Sequence, residues 1–182
     1  RHLISPALAK EKGPRGVLVD ETESASVMVN EEDHLRIQVI LSGLQPVEAY
    51  EMANSLERDL AGGLDFAASP VWGYLTACAT NTGTGLRAST LIHLPGLALT
   101  KEMDGVVRGV AQLGFAVRGI YGEGSDSAGN LYQISNQLTL GRSEQTLLEG
   151  LSRVVGQVVE CEVNARETLS RETRDQIEDK VW

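Results

Sequence analysis

The sequence predicts an α+β chain, an antiparallel β-sheet flanked by helices. Three observations carry that expectation. Short runs rich in β-branched residues at 16–19, 25–30 and 35–41 follow one another across tight polar turns, the third alternating Leu35, Ile37 and Val39 with Arg36 and Gln38. Two further strand-like runs, 115–121 and 131–138, flank one glycine-punctuated loop at residues 122–129. Helical patterns lie between and after these groups rather than alternating with each strand, which separates this layout from βαβ architecture.

Taken in order, residues 1–13 are mixed and read as a lead-in. The acidic turn Asp20-Glu21-Thr22-Glu23 joins the first two strands of a meander. Pro46 stands where the first turn of a helix accepts it, because the N–H it lacks has no partner there anyway. Ala49, Met52, Ala53, Leu56 and Leu60 then repeat at helical spacing until Gly62-Gly63 stops the pattern. Residues 76–85, rich in Gly, Thr and Asn, have no period and read as a loop. A second helix is expected over 97–113, ended by Gly114. The strands at 115–121 and 131–138 make a long hairpin with its loop at the tip. Ser143 caps a last helix in which Leu147, Leu151, Val154, Val155, Val158 and Val159 form one apolar stripe, with Cys161 expected on that same side.

The chain has 182 residues, a length that suits one domain. A net charge of −9 argues against a nucleic-acid-binding surface, which needs clustered positive charge. No apolar run approaches the roughly 20 residues of a spanning helix; the run at 91–99 is interrupted by His93, Pro95 and Gly96. Two cysteines, Cys78 and Cys161, suggest neither a disulfide framework nor a metal pair, which fits a reduced cytoplasmic protein. The first residue is Arg1 rather than Met, which reads as a cut end.

Four stretches concentrate unusual polar residues at strand edges. In the first, residues 30–36 read Asn-Glu-Glu-Asp-His-Leu-Arg, by itself a solvated turn; its acids lie between two apolar strands, however, and a carboxylate held there can accept a proton or align a cationic substrate. The second, residues 78–89, combines Cys78 with glycines and Arg87. Its backbone amides are able to face phosphate and its guanidinium suits phosphate oxygens, although it lacks the GK[ST] of a P-loop, and read generically a plain turn is the favoured account. The third carries Arg118 from a strand into the acidic loop that holds Glu123, and solvent exposure alone also accounts for it. The fourth, Ser135-Asn136-Gln137, is a polar break in a strand and reads as an edge feature.

Asn-Glu-Glu-Asp-His-Leu-Arg at 30–36, Cys-x-Thr-Asn-x-Gly-Thr-Gly-Leu-Arg-Ala at 78–88 and the Arg-Gly loop at 118 resemble, in order and at compatible separations, the ATP:guanidino phosphotransferases. The Ser-Thr-Leu-Ile-His-Leu-Pro that follows and Arg-Gly-Ile-Tyr-Gly-Glu-Gly-Ser at 118–125 resemble the bacterial protein-arginine kinases within that family. The resemblance implies a guanidino kinase / glutamine synthetase-like catalytic domain over 1–182, without the upstream and C-terminal segments of its parent. It implies that ATP, with Mg²⁺, phosphorylates arginine residues of protein substrates in cytoplasmic quality control and stress response. No nucleic acid or membrane partner is implied, and a homo-oligomer formed through segments outside this chain stays open.

By the same resemblance Arg36, Arg87 and Arg118 clamp the ATP phosphates. Ala88, Ser89, Thr90 and Leu91, with Gly119, Ile120, Tyr121, Gly122 and Glu123, add nucleotide contacts. Glu32 and Glu123 hold the guanidinium and take its proton, Cys78 sits against it as a thiolate, and Thr80 lies nearby; no protein-held metal is implied. Two departures stand out: Ala79 occupies a place where the family usually has Pro, and residues 1–30 contain no Ser-x-Arg-x-Arg segment. A small-molecule guanidino kinase and a non-catalytic nucleotide-binding fragment are the alternative readings.

Overall fold

Residues 16–39 fold into the three strands expected of them. β1 (Gly16–Val19), β2 (Ala25–Val29) and β3 (Leu35–Val39) form an antiparallel meander in the order β1-β2-β3. The structure, a computed structural model, describes residues 3–10, 12–119 and 128–172. Asp20 organises the β1–β2 turn, its carboxylate accepting from the Ala25 amide at 2.7 Å and from the Thr22 and Ser24 hydroxyls. The Thr22 hydroxyl first, then the Ala25 amide, hold that carboxyl down at about 2. Ahead of the meander, the expected lead-in contains a short helix, α1 (Pro6–Lys10), whose Leu8 amide donates to the Ser5 hydroxyl.

The chain divides into two compact units, residues 1–88 with 138–148 and residues 89–137 with 149–182. In the first, α2 (Pro46–Ala61) packs against β3. Its expected apolar stripe is only half-buried, and no residue of α2 is fully enclosed. A small hairpin, β4 (Ala68–Ser69) with β5 (Gly73–Tyr74), was not legible in the sequence because two-residue strands carry no period. Tyr74 ties the hairpin to α2 by donating its hydroxyl to Glu57 at 2.9 Å. Burial first, then that hydrogen bond and the nearby Glu57 and Glu144 charges, push the Tyr74 phenol up to about 12.

The second unit holds β6 (Ser89–His93), α3 (Pro95–Leu99), α4 (Met103–Gln112), β7 (Phe115–Gly119), β8 (Leu131–Asn136) and most of α5 (Glu144–Glu172). Its sheet runs β6-β8-β7, antiparallel throughout. β8 is therefore central, and Ser135 and Asn136 are buried within a doubly paired strand rather than at an edge. The single helix expected over 97–113 is two, because Lys101 adopts φ 61° and turns the chain between α3 and α4. That break has no Gly or Pro to announce it. Leu97, Ile134 and Leu151 are fully buried, each contributing about 1.5–3 kcal/mol of transfer free energy.

Ser143 caps α5 as expected, accepting from the Thr146 amide at 3.2 Å. Leu147, Leu151, Val154, Val155 and Val158 are buried, whereas Val159 is exposed. Cys161 is exposed too, which corrects its expected place on the apolar side; the buried stripe continues instead through Glu162 and Ala165. Glu162 accepts from the Gly96 and Leu97 amides at 2.8 and 2.9 Å, satisfying the first turn of α3, and from Arg166 Nε at 2.6 Å. Gly96 permits the approach, since a Cβ there would stand 3.0 Å from Arg166 Cγ and 3.1 Å from the Glu162 carboxylate. Glu162→Ala leaves two buried donors unpaired, so an unfolding free energy lower by about 2–4 kcal/mol is expected. Urea titration measures it; an unchanged midpoint would show the clasp to be dispensable.

Candidate functional site

In the first unit the acidic motif and the cysteine loop are joined by one side chain that the sequence did not single out. Asp33 accepts from the Cys78 amide at 2.8 Å through Oδ1 and from the Asn81 side-chain amide at 2.7 Å through Oδ2. Asp33 is the chain neighbour of Glu32, so residues 45 positions apart are drawn to one place. Glu32 itself is exposed.

Glu31, one residue earlier, behaves differently. Its side chain is 5% exposed and faces Arg36 at 3.4 Å, while Arg36 also donates to Gln38 at 3.2 Å. Burial pushes the Glu31 carboxyl up, but hydrogen bonds from Ser5 and the Glu32 amide, with the Arg36 charge, outweigh it and hold the group below its ordinary value. Within the three-acid run the structure thus separates an anion committed to Arg36 from one turned to solvent. Sequence alone gave no means to divide them, because both follow the same turn.

The loop carrying Cys78 is a short 3₁₀ turn, Ala79–Asn81, followed by a bridge between Tyr74 and Gly83. Six of its amides are engaged by acceptors within the protein. Those of Cys78, Asn81, Thr82, Gly83, Thr84 and Leu86 donate in turn to Asp33, Cys78, Ala79, Tyr74, Thr139 and the Thr84 hydroxyl. These six amides are therefore not offered to phosphate, and this part of the loop is a hydrogen-bonded platform. Cys78 is half-buried, and its sulfur lies 3.0 Å from the Thr80 hydroxyl, which is exposed. Arg87 is exposed at the end of the loop and Ala88 is buried.

The residues assigned to nucleotide in the second unit are sorted by strand alternation. Register pairs Leu91 with Gln133 and Gln133 with Arg118, and Ser89 takes a hydrogen bond from the Gln133 amide at 2.9 Å. Ser89, Leu91, Gln133 and Arg118 thereby share one face, where Ser89, Leu91 and Arg118 are exposed. Thr90 and Gly119 fall on the other face, with buried Ile134 and Tyr132 as their cross-strand partners. Ile120, Tyr121, Gly122 and Glu123 lie outside the described residues. Gln133 was missed by sequence reading; its place in an alternating strand opposite Arg118 is the signal that marks it.

Exposure sets an expected result for the thiols. A reagent such as a disulfide-exchange chromophore should modify exposed Cys161 at least as fast as half-buried Cys78, the reverse of what the helix stripe suggested. Peptide mapping of the first labelled site decides it.

The chain is 50% identical over 181 residues to the protein-arginine kinase of Halothermothrix orenii, an alignment covering 100% of this chain and 52% of that protein. To the protein-arginine kinase of Bacillus subtilis it is 48% identical over 182 residues, covering 100% and 50%. It therefore spans about half the length of the curated relatives it matches. Among solved structures, the duplicated taurocyamine kinase of Schistosoma mansoni with bound transition-state analogue components superposes with TM-score 0.73 at 29% identity, over 86% of this chain and 22% of that one. Lombricine kinase superposes with TM-score 0.68 at 28% identity, over 85% and 43%. A family model described as ATP:guanido phosphotransferase, C-terminal catalytic domain, matches residues 1–165, and the chain belongs to that family.

Proposed function

We propose that the chain is the catalytic domain of a protein-arginine kinase, which transfers the γ-phosphoryl group of ATP to arginine side chains of proteins. The observation that carries this reading is identity of about 50% to protein-arginine kinases along the whole chain, not in the motifs alone. The loop geometry supports it: Asp33, next in the chain to Glu32, accepts from the Cys78 amide.

A guanidinium is protonated at every physiological pH and is a poor nucleophile, so the reaction needs carboxylates to orient it and remove a proton. In the proposed step a guanidinium nitrogen attacks the γ-phosphorus. The N–P bond forms as the bond from phosphorus to the β–γ bridging oxygen breaks, ADP leaves, and the nitrogen's proton passes to Glu32 or Glu123. Cys78 and Thr80 pack against the cation. Arg36, Arg87 and Arg118 neutralise phosphate oxygens, with Ser89 and Leu91 beside Arg118, and with Ala88, Thr90, Gly119, Ile120, Tyr121 and Gly122 shaping the backbone of the nucleotide site. Phosphoryl transfer of this kind is chiefly positioning and charge stabilisation. Mg²⁺ would accompany the nucleotide and neutralise its phosphate charge, and no step is routed through a protein-held ion. The proposed setting is cytoplasmic protein quality control and stress response; among the described residues no helix is long and apolar enough to cross a membrane.

The test is a substrate panel on the full-length protein. With ATP it should label an arginine-rich protein at an acid-labile N–P bond, with a higher kcat/KM than on free arginine or creatine. Free arginine used as efficiently as protein would favour a small-molecule guanidino kinase. No turnover on any guanidino compound would leave a nucleotide-binding module.

A further inference from the structure

Thr139 lies well outside the motifs that carry the family resemblance, yet four residues of the Cys78 loop are built onto it. Its hydroxyl stands 2.9 Å from the Thr80 carbonyl and 2.7 Å from the Thr82 carbonyl, and one proton serves both acceptors as a shared bond. Its own carbonyl accepts from the Thr84 amide at 2.9 Å and the Thr84 hydroxyl at 3.1 Å. Gly83 passes so close that a Cβ would stand 2.3 Å from the Thr139 carbonyl oxygen. Thr139 is 8% exposed, so these bonds form out of water, where an unpaired carbonyl is costly.

The loop is thus pinned at two ends of different chemistry. Asp33 grips the Cys78 amide with a charge, and Thr139 fixes residues 80–84 with a neutral hydroxyl and a backbone carbonyl. The second anchor reaches the sulfur through one intermediate, because the residue whose carbonyl Thr139 holds, Thr80, is the one whose hydroxyl lies 3.0 Å from Cys78 Sγ.

We propose that Thr139 is a positioning residue for the Cys78 thiol: through Thr80 it sets where the sulfur stands and how far the loop opens. Its effect on turnover rests on the guanidino-kinase reading above; its effect on the thiol does not. A hydroxyl suits this task because it restrains the loop without adding a charge beside a cationic substrate.

The experiment uses the full-length protein in a Cys161→Ser background, comparing Thr139→Val, which removes the hydroxyl at similar volume, with Thr139→Ser, which keeps it. Iodoacetamide modification of Cys78 is followed by peptide mapping across pH, alongside kcat, KM for ATP and the thermal midpoint. Thr139→Val should quicken Cys78 modification by about threefold or more, as local opening of the loop exposes the sulfur. It should lower kcat by between about tenfold and 100-fold, the scale of a reacting group misplaced by about 1 Å, with KM for ATP little changed. Thr139→Ser should restore both. If Thr139→Val does not fold, Thr139→Ala removes the same hydroxyl and is read the same way. Unchanged modification kinetics in the variant lacking the hydroxyl, or equal loss in the serine variant, overturns the assignment. A parent protein that phosphorylates no guanidino compound defeats the functional reading instead, and the modification rates still decide the role of Thr139.

Discussion

Replacing Glu32 by Gln in the full-length protein is expected to lower turnover by roughly two orders of magnitude, the scale of lost general acid–base help. Glu123→Gln should do the same if the two carboxylates share the guanidinium. KM for ATP should hardly move in either variant, because both groups are assigned to the cation and not to the phosphates. Glu31 supplies the contrast. Its carboxylate is committed to Arg36 at 3.4 Å, so Glu31→Gln removes the partner that positions an arginine assigned to phosphate and should raise KM for ATP more than it lowers kcat. Steady-state kinetics on the three variants reads the division directly. Near-normal turnover in both Glu32→Gln and Glu123→Gln, or a larger kcat defect in Glu31→Gln, would mean that the acids are assigned the wrong way round.

Gly83→Ala should be the most damaging single methyl added to this site. Gly83 sits at φ 116°, in backbone space that side chains avoid, and its Cβ would stand 2.3 Å from the Thr139 carbonyl oxygen and 2.9 Å from Leu140 Cα. Both neighbours are backbone, so no rotamer change relieves the contact. The strained conformation alone costs on the order of 1–3 kcal/mol. The chain must therefore move, losing the Tyr74 bridge on one side and the Thr84 amide bond on the other. Turnover is expected to fall below detection while the β6-β8-β7 sheet of the second unit keeps its amide protection. Hydrogen exchange separates this local collapse from global unfolding; wild-type kinetics in the variant would show the loop geometry to be irrelevant.

Several elements were legible because their cause is local. The meander followed from β-branched alternation at residues 16–39, α2 from Pro46 and the stripe after it, and the start of α5 from Ser143. Other elements were not. β6 was hidden because its five residues run into the apolar stretch that also feeds α3, and α3 and α4 merged because a lysine makes the turn between them. Cys161 was misplaced because a stripe drawn from Val158 and Val159 does not say where a 29-residue helix turns its side to solvent.

The candidate site divides along the same line. Contiguous motifs were enough to name Glu32, Arg36, Cys78, Arg87 and Arg118, since each motif is a short run whose chemistry is written in neighbouring letters. By itself the sequence determined the fold class, the family resemblance and the residue types available for holding a guanidinium and a polyphosphate. Only the tertiary structure decided which acid of the run pairs with Arg36, that six of the loop's amides are already engaged, and that Asp33 and Thr139 anchor the cysteine loop from 45 and 59 residues away in the chain. The physical reason is range. Propensity and periodicity act over one or two turns, whereas a hydrogen bond closing a loop of dozens of residues depends on where folding has already brought both ends.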